Sequence, residues 1–242
     1  MTKAFPAFID LRTLADELAD KHEYRRLRSE LDRAAKAQSC DADLALAETQ
    51  MEALAVSLGS PRKRGTLIKQ ATEGALLQMA IILYERATAA AGKRGERGSI
   101  GLRDLLTKDQ QQDHDAVVLV RQRALAHVDP NEIVAGVIWQ RDLLLGVADG
   151  RSWQPLAATK RIQFNQQTYE RLGRQLPITR ALLLERFRAH LTKAISLMKA
   201  NPLPQAIFDR HEIDPIAAFG SRQNVLDALA GRTVGEISFL GD

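Results

Sequence analysis

Apolar residues recur at spacings of three and four along much of this chain, and this pattern constrains its fold more than any other feature. The first such stripe contains Leu11, Leu14, Ala15 and Leu18. Residues spaced in this way lie on one face of an α-helix. Alanine, leucine and arginine are abundant, aromatic residues make up only 5% of the chain, and long runs of β-branched residues are nearly absent. The sequence therefore predicts an all-α protein.

Capping residues, glycine and proline predict where the helices begin and end. Asp41 is a candidate cap for a second helix, Thr107 with Gln110 matches a capping box, and Asp129-Pro130 suits the start of another helix that carries Trp139. One short strand or extended link is expected at residues 160–165. The expected helices cover residues 10–38, 41–58, 63–91, 99–106, 107 to the break at Pro130, 130–147, 167–175, 178–200 and 223–229.

Loop-forming stretches divide the chain into three expected parts. Glycines and charges at residues 92–98 predict an exposed loop, and residues 150–158 form a weaker boundary. We expect an N-terminal helical segment over residues 1–60 that packs on the core, a helical core over residues 61–150, and a C-terminal helical extension over residues 151–242.

Several classes of function are disfavoured by the residues that the chain lacks. Cys40 is the only cysteine, so the chain has no intrachain disulfide and no CxxC zinc motif. There is no HExxH, no GxGxxG and no P-loop. We expect no metal site and no cofactor, and we interpret His22, His114, His190 and His211 as ordinary surface or interface residues.

The net charge of +4 permits RNA as a partner without requiring it. Two basic clusters, residues 62–64 and 93–97, could follow an RNA backbone or could be solvated helix ends. No window approaches 18 uncharged apolar residues, and the N-terminus becomes charged before a secretory apolar region develops. We therefore expect no membrane partner and a cytoplasmic location.

The stretch from Val120 to Pro130 is the strongest functional signal. An apolar helical run ends there in Arg121, Arg123 and His127, and Pro130 breaks the helix. The negative end of a helix dipole favours protonated histidine, which can transfer a proton in phosphodiester cleavage. Guanidinium groups bind phosphate oxygens through a planar fork of donors. These are the parts of a metal-independent ribonuclease that uses the RNA 2′-hydroxyl as nucleophile.

Helix geometry leaves two ways to assemble such a site. In a straight α-helix Arg123 and His127 share a face, whereas Arg121 and His127 lie roughly 120° apart. Either the helix distorts before Pro130, or a second subunit related by a two-fold axis completes the site.

This stretch resembles the signature of the HEPN superfamily, an arginine followed by four to six residues and a histidine. It is most similar to the Arg-Asn-Lys-x-x-Ala-His-x-Asp form of abortive-infection-like bacterial members, and the similarity extends over about residues 61–150. Gln122 stands where the family usually has asparagine, aspartate or histidine. The resemblance implies Arg121 and His127 as the catalytic pair, with Gln122, Arg123 and Asp129 in support. Asp129 also suits the N-cap of the next helix.

The resemblance further implies a HEPN-like helical bundle that forms a homodimer and cleaves RNA without a metal ion. Its biological context would be a bacterial toxin–antitoxin or phage-defence system, with an antitoxin as a possible second partner. The alternative is a non-catalytic helical module that dimerises or binds RNA, in which the same segment forms a dimer interface and its arginines pair with carboxylates.

Overall fold

The computed structural model describes residues 5–60, 66–92, 97–127, 130–148 and 152–230. The chain is mostly helical, as predicted. The α-helices are α1 (Leu11–Glu17), α2 (Arg25–Gly59), α3 (Leu67–Thr88), α4 (Lys108–Leu119), α5 (Gln166–Ala200), α6 (Gln205–Arg210), α7 (Pro215–Phe219) and α8 (Arg222–Leu229).

In the described residues, three antiparallel two-stranded sheets accompany the helices. They pair β1 (Phe8–Ile9) with β6 (Glu212–Ile213), β2 (Ile133–Val134) with β3 (Val137–Ile138), and β4 (Gln140–Ala148) with β5 (Trp153–Arg161). Short 3-10 turns lie at His22–Tyr24 and Arg103–Leu105.

The prediction of a helix over residues 130–147 is wrong. The chain turns after Pro130, where Asn131 has φ 66° and Ala135 has φ 53°, and then forms β4. Two non-glycine residues in the left-handed region are incompatible with a continuing α-helix. Trp139 is 4% exposed, and its Nε1 donates to the Val134 carbonyl at 3.2 Å. Pairing with β5, the next strand in the chain, thus overrides the local capping signal.

Other helix boundaries also differ from those expected. The helix expected over residues 10–38 is interrupted, since α1 ends at Glu17 and α2 begins at Arg25. α2 runs through Asp41, whose carboxylate accepts from the Arg180 guanidinium at 2.9 Å and does not cap a helix. α5 likewise continues through Pro177. Proline removes one backbone hydrogen bond there, but Leu176 and Leu183 are buried on either side, and burial outweighs local propensity.

The described residues form two compact units, each with its own core. Residues 35–188 make up one unit, and its core gathers side chains from α2, α3, α4 and α5, including Leu44, Leu77, Tyr84, Val117 and Leu172. The other unit contains residues of 1–34 and 189–242, with a core that includes Leu14, Leu18, Leu31, Ala194 and Ile207. Within the described ranges, no helix combines the length and apolar character needed to cross a membrane.

Candidate functional site

The predicted motif lies where α4 changes from an α-helix to a π-helix. Residues Val120–Ala126 form the π-helical segment, and His127 then leaves it with φ −119° and ψ 120°. The helix therefore distorts before Pro130, which is one of the two arrangements that helix geometry allowed. A π-helix carries i→i+5 hydrogen bonds, is rare, and occurs frequently at functional sites.

Arg121 forms an ion pair with a buried carboxylate. Its Nε lies 3.3 Å from Glu85 Oε2 on α3, and the side chains are 36% and 7% exposed, respectively. Burial of an ionised carboxylate among apolar side chains reduces the stability of the fold unless a cation pairs with it. Glu85 therefore holds the guanidinium of Arg121 close to α3 through the Nε atom of Arg121.

Sequence reasoning missed Glu85. Tyr84 is fully buried before it, and Ala87 is fully buried shortly after it. A single acidic residue at the end of the apolar run of α3 was the available signal, because a buried carboxylate needs a cationic partner. The partner itself could not be identified from the sequence, since Arg121 is 36 positions away.

Two supporting residues of the motif, Gln122 and Arg123, lie at the surface. Gln122 is exposed, and Arg123 donates from Nη2 to Glu132 Oε1 at 2.6 Å. Glu132, which belongs to the wrongly predicted helix over residues 130–147, forms an ion pair with Arg123. Asp129, whose capping and supporting roles were both predicted, lies outside the described residues.

His127 is exposed and follows directly after the π-helical segment. Among the described residues, no hydrogen bond or ion pair joins it to Arg121 or to any other side chain. A single chain thus places Arg121 within the π-helical segment and His127 directly after it, with no hydrogen bond described between the two side chains. The described part of the chain also holds no cluster of three potential metal-ligating side chains.

The interpretation of His114 as a surface or interface residue is wrong. His114 is 3% exposed on α4, and its Nδ1 lies 2.8 Å from the Tyr84 hydroxyl. Burial lowers the pKa of His114, while it raises that of Tyr84 above its ordinary range. This pair lies in the core of the larger unit, and Tyr84 directly precedes Glu85 on α3.

Of the predicted basic clusters, residues 62–64 and 93–96 lie outside the described residues, whereas Arg97 is described. Arg97 and Arg86 both donate to Asp43, and Arg97 also donates to the Ser39 carbonyl at 2.6 Å. Burial would raise the pKa of Asp43, but the hydrogen bonds from Arg86 and Arg97 outweigh it and lower that pKa. These arginines border an open cavity of about 450 Å³.

Comparison with known proteins finds no family model, no curated protein and no solved structure that this chain matches.

Proposed function

We propose that residues 120–127 form the active site of a metal-independent endoribonuclease of the HEPN type, with Arg121 and His127 as the catalytic pair. The observation that carries the proposal is the ion pair between Arg121 and buried Glu85, located on the distorted turn that precedes an exposed histidine. A half-exposed guanidinium that is positioned by a buried carboxylate suits phosphate binding, because its orientation is set before the ligand arrives.

Each side chain has a distinct role in the proposed reaction. Glu85 contacts the Nε of Arg121, so that the terminal nitrogens of the guanidinium can donate to the non-bridging oxygens of the scissile phosphate. The RNA 2′-hydroxyl attacks phosphorus and the bond to the 5′-oxygen breaks. His127 either accepts the proton from the 2′-hydroxyl or donates one to the departing 5′-oxygen. The products are a 2′,3′-cyclic phosphate and a 5′-hydroxyl, and no metal ion takes part.

A second copy of the chain would supply what one copy lacks. The two proton transfers need an acid and a base, and each motif contains one histidine. A homodimer with its two motifs facing each other would bring two histidines to one phosphate. Gln122 and Arg123 would contact the flanking RNA, and the biological setting would be that of a bacterial toxin or phage-defence protein controlled by an antitoxin.

One observation favours the second candidate function, a non-catalytic dimeric or RNA-binding module. Arg123 pairs with the carboxylate of Glu132, and pairing of the motif arginines with carboxylates is what that hypothesis predicted. An arginine whose charge is balanced by a carboxylate can have a structural role and does not need to bind a phosphate.

RNA cleavage by the purified chain of 242 residues in EDTA distinguishes the two candidates. The His127→Ala and Arg121→Ala variants should each lose about 10²-fold or more in cleavage rate. Glu85→Gln should reduce the rate less, because it disturbs the position of Arg121 without removing it. Exposed residues of the same types in the other unit provide matched controls, His22→Ala and Arg26→Ala, which should cleave like the wild type.

The products add a second readout, since cleavage by this mechanism leaves 2′,3′-cyclic phosphate ends. Cleavage that requires a divalent metal, or that survives both motif substitutions, would refute the proposed active site. RNA binding without cleavage, weakened by Arg121→Ala, would support the binding module instead.

A further inference from the structure

Two adjoining open cavities lie where the end of α3 meets α2 and residues 97–101. Their volumes are about 450 Å³ and about 460 Å³, and residues 90–92, Arg97 and Gly98 line both of them. We call the two cavities together the α2–α3 basin. Volumes of this size lie within the roughly 300–1,000 Å³ range that is typical of small-molecule sites.

Contacts between backbone atoms shape the basin before any ligand arrives. The Ser99 amide donates to the Ala90 carbonyl at 2.8 Å, which joins the two chain segments on either side. Gly98 has φ 62°, and a Cβ at this position would lie 2.9 Å from the Gly92 nitrogen. The two segments can therefore approach this closely only because residue 98 is glycine.

The described side chains that line the basin give it a positive charge. Its cations are Lys36, Arg86 and Arg97. Asp43 is the one carboxylate among these described lining residues, so their net charge is +2. Both oxygens of Asp43 accept from the two arginines, and its side chain is only 11% exposed. The carboxylate is thus directed at the arginines, and it leaves the positive charge to a ligand.

Asp43 also fixes the orientation of both guanidinium groups. It accepts from Nε and Nη2 of Arg86, whose side chain is still 55% exposed. Among the described residues no hydrogen bond engages Nη1 of Arg86, so this nitrogen can donate to a ligand oxygen. Arg97 is more fully engaged, because Nη1 donates to the Ser39 carbonyl at 2.6 Å and Nη2 donates to Asp43. Arg97 therefore contributes charge more than a donor.

Lys36 is the cation of the basin that has no carboxylate partner within the described ranges. It is half-buried on α2, and its Nζ lies 3.5 Å from the position that a Cβ on Gly98 would take. An opposite charge stabilises a partly buried cation. An anion in the basin would supply that charge.

We propose that the α2–α3 basin binds a phosphate monoester, with Lys36 and Nη1 of Arg86 contacting the phosphate oxygens. A phosphate monoester carries a charge of about −1.5 to −2 at pH 7, which complements the net charge of the basin. A guanidinium donates to phosphate oxygens in a geometry that suits them. The group is carried by a free mononucleotide or by the 5′ end of an RNA. The inference is independent of the proposed ribonuclease, because none of these residues takes part in it.

Isothermal titration calorimetry of the chain of 242 residues with AMP tests the proposal, with adenosine as the matched ligand that lacks the phosphate. AMP should bind with a Kd of about 1 mM or tighter, and adenosine should not bind in this range. Lys36→Gln should weaken AMP binding by about tenfold or more, because it removes a charge-assisted contact. Lys36→Arg keeps the charge and should weaken binding less.

Two control variants locate the bound phosphate. Lys108 is an exposed lysine on α4, and Lys108→Gln should bind AMP like the wild type. Arg121→Ala should also bind AMP like the wild type, since Arg121 does not line the basin. Circular dichroism should show the same helical content for Lys36→Gln as for the wild type.

A pair of RNAs distinguishes the two sources of the phosphate. The RNAs have the same sequence and 2′-O-methyl groups, so that cleavage through a 2′-hydroxyl is impossible, and only one of them has a 5′-phosphate. Tighter binding of the phosphorylated RNA, lost in Lys36→Gln, would support the basin as a site for an RNA end. AMP binding without this preference would support it as a site for a free mononucleotide.

Three outcomes would overturn the proposal. They are no binding of AMP up to about 5 mM, adenosine binding as tight as that of AMP, and AMP binding that Lys36→Gln leaves unchanged. Loss of AMP binding in Arg121→Ala alone would place the phosphate at the motif and not in the basin. RNA cleavage by a chain that does not bind AMP would leave the ribonuclease in place, so the two proposals fail separately.

Discussion

The buried histidine of α4 predicts how the stability of the protein depends on pH. His114 is 3% exposed, and burial is the largest cause that lowers its pKa in the folded chain from the ordinary value of 6.5. The unfolded chain therefore binds more protons than the folded chain at pH values just below 6.5. Stability is fully present above pH 6.5 and decreases as the pH falls from there toward the folded pKa.

The size of this effect follows from linkage. Each pH unit below 6.5 removes up to about 1.4 kcal/mol from the free energy of unfolding, until the folded histidine itself becomes protonated. Replacement by a residue that does not titrate, His114→Asn, should remove this part of the pH dependence. Asparagine retains a polar atom near the position of Nδ1, which lies 2.8 Å from the Tyr84 hydroxyl.

Urea denaturation followed by circular dichroism at pH 7.5, 6.5 and 5.5 measures the effect. The quantity to compare is the loss of unfolding free energy between pH 7.5 and 5.5, which should be larger for the wild type than for His114→Asn. All other histidines and carboxylates are present in both proteins, so their contributions cancel in the difference. Equal pH dependence of the two proteins would show that His114 does not lose its proton affinity on folding and would refute the reasoning.

Three further substitutions should lower the free energy of unfolding, as measured by urea denaturation at pH 7.5. Tyr84→Phe leaves the buried imidazole without its hydroxyl partner and should cost about 1–3 kcal/mol; a cost near zero would mean that water replaces the hydroxyl. Asp43→Ala removes the carboxylate that Arg86 and Arg97 share and should cost about 1–2 kcal/mol, because these arginines are partly exposed. This cost should shrink as the pH falls below about 3.8, and a constant cost would contradict the ion pairs. Thr107→Ala removes one half of a capping box and should cost about 1 kcal/mol, whereas no loss would show that α4 does not need its cap.

Helix prediction from the sequence succeeded where burial and local propensity agree. α3 lies within the predicted residues 63–91, and α8 differs from the prediction by one residue at its start. The capping box of Thr107 and Gln110 is formed as predicted, with Gln110 Oε1 accepting from the Thr107 amide at 2.9 Å. These features depend on residues within a few positions of each other, so the sequence contains the whole interaction.

Prediction failed where contact with another segment decides the local structure. Residues 140–148 have a composition that suits a helix or a strand, and only pairing with residues 153–161 settles the choice. Similarly, Asp41 could have capped a helix, but Arg180, 139 positions away, takes its carboxylate. A sequence pattern does not reveal such partners, because a one-dimensional spacing carries no information about them.

The same distinction between local and non-local interactions applies to the candidate site. The sequence by itself determined that the chain is mostly helical and that Arg121 and His127 stand at the end of a helical run, because spacing and helix-breaking residues act locally. Only the tertiary structure decided that this run ends in a π-helical segment, that Glu85 pairs with Arg121, and that an apolar hairpin follows it. The physical reason is that the ion pair and the strand pairing each join two separate segments, so neither is contained in the spacing of residues within one segment.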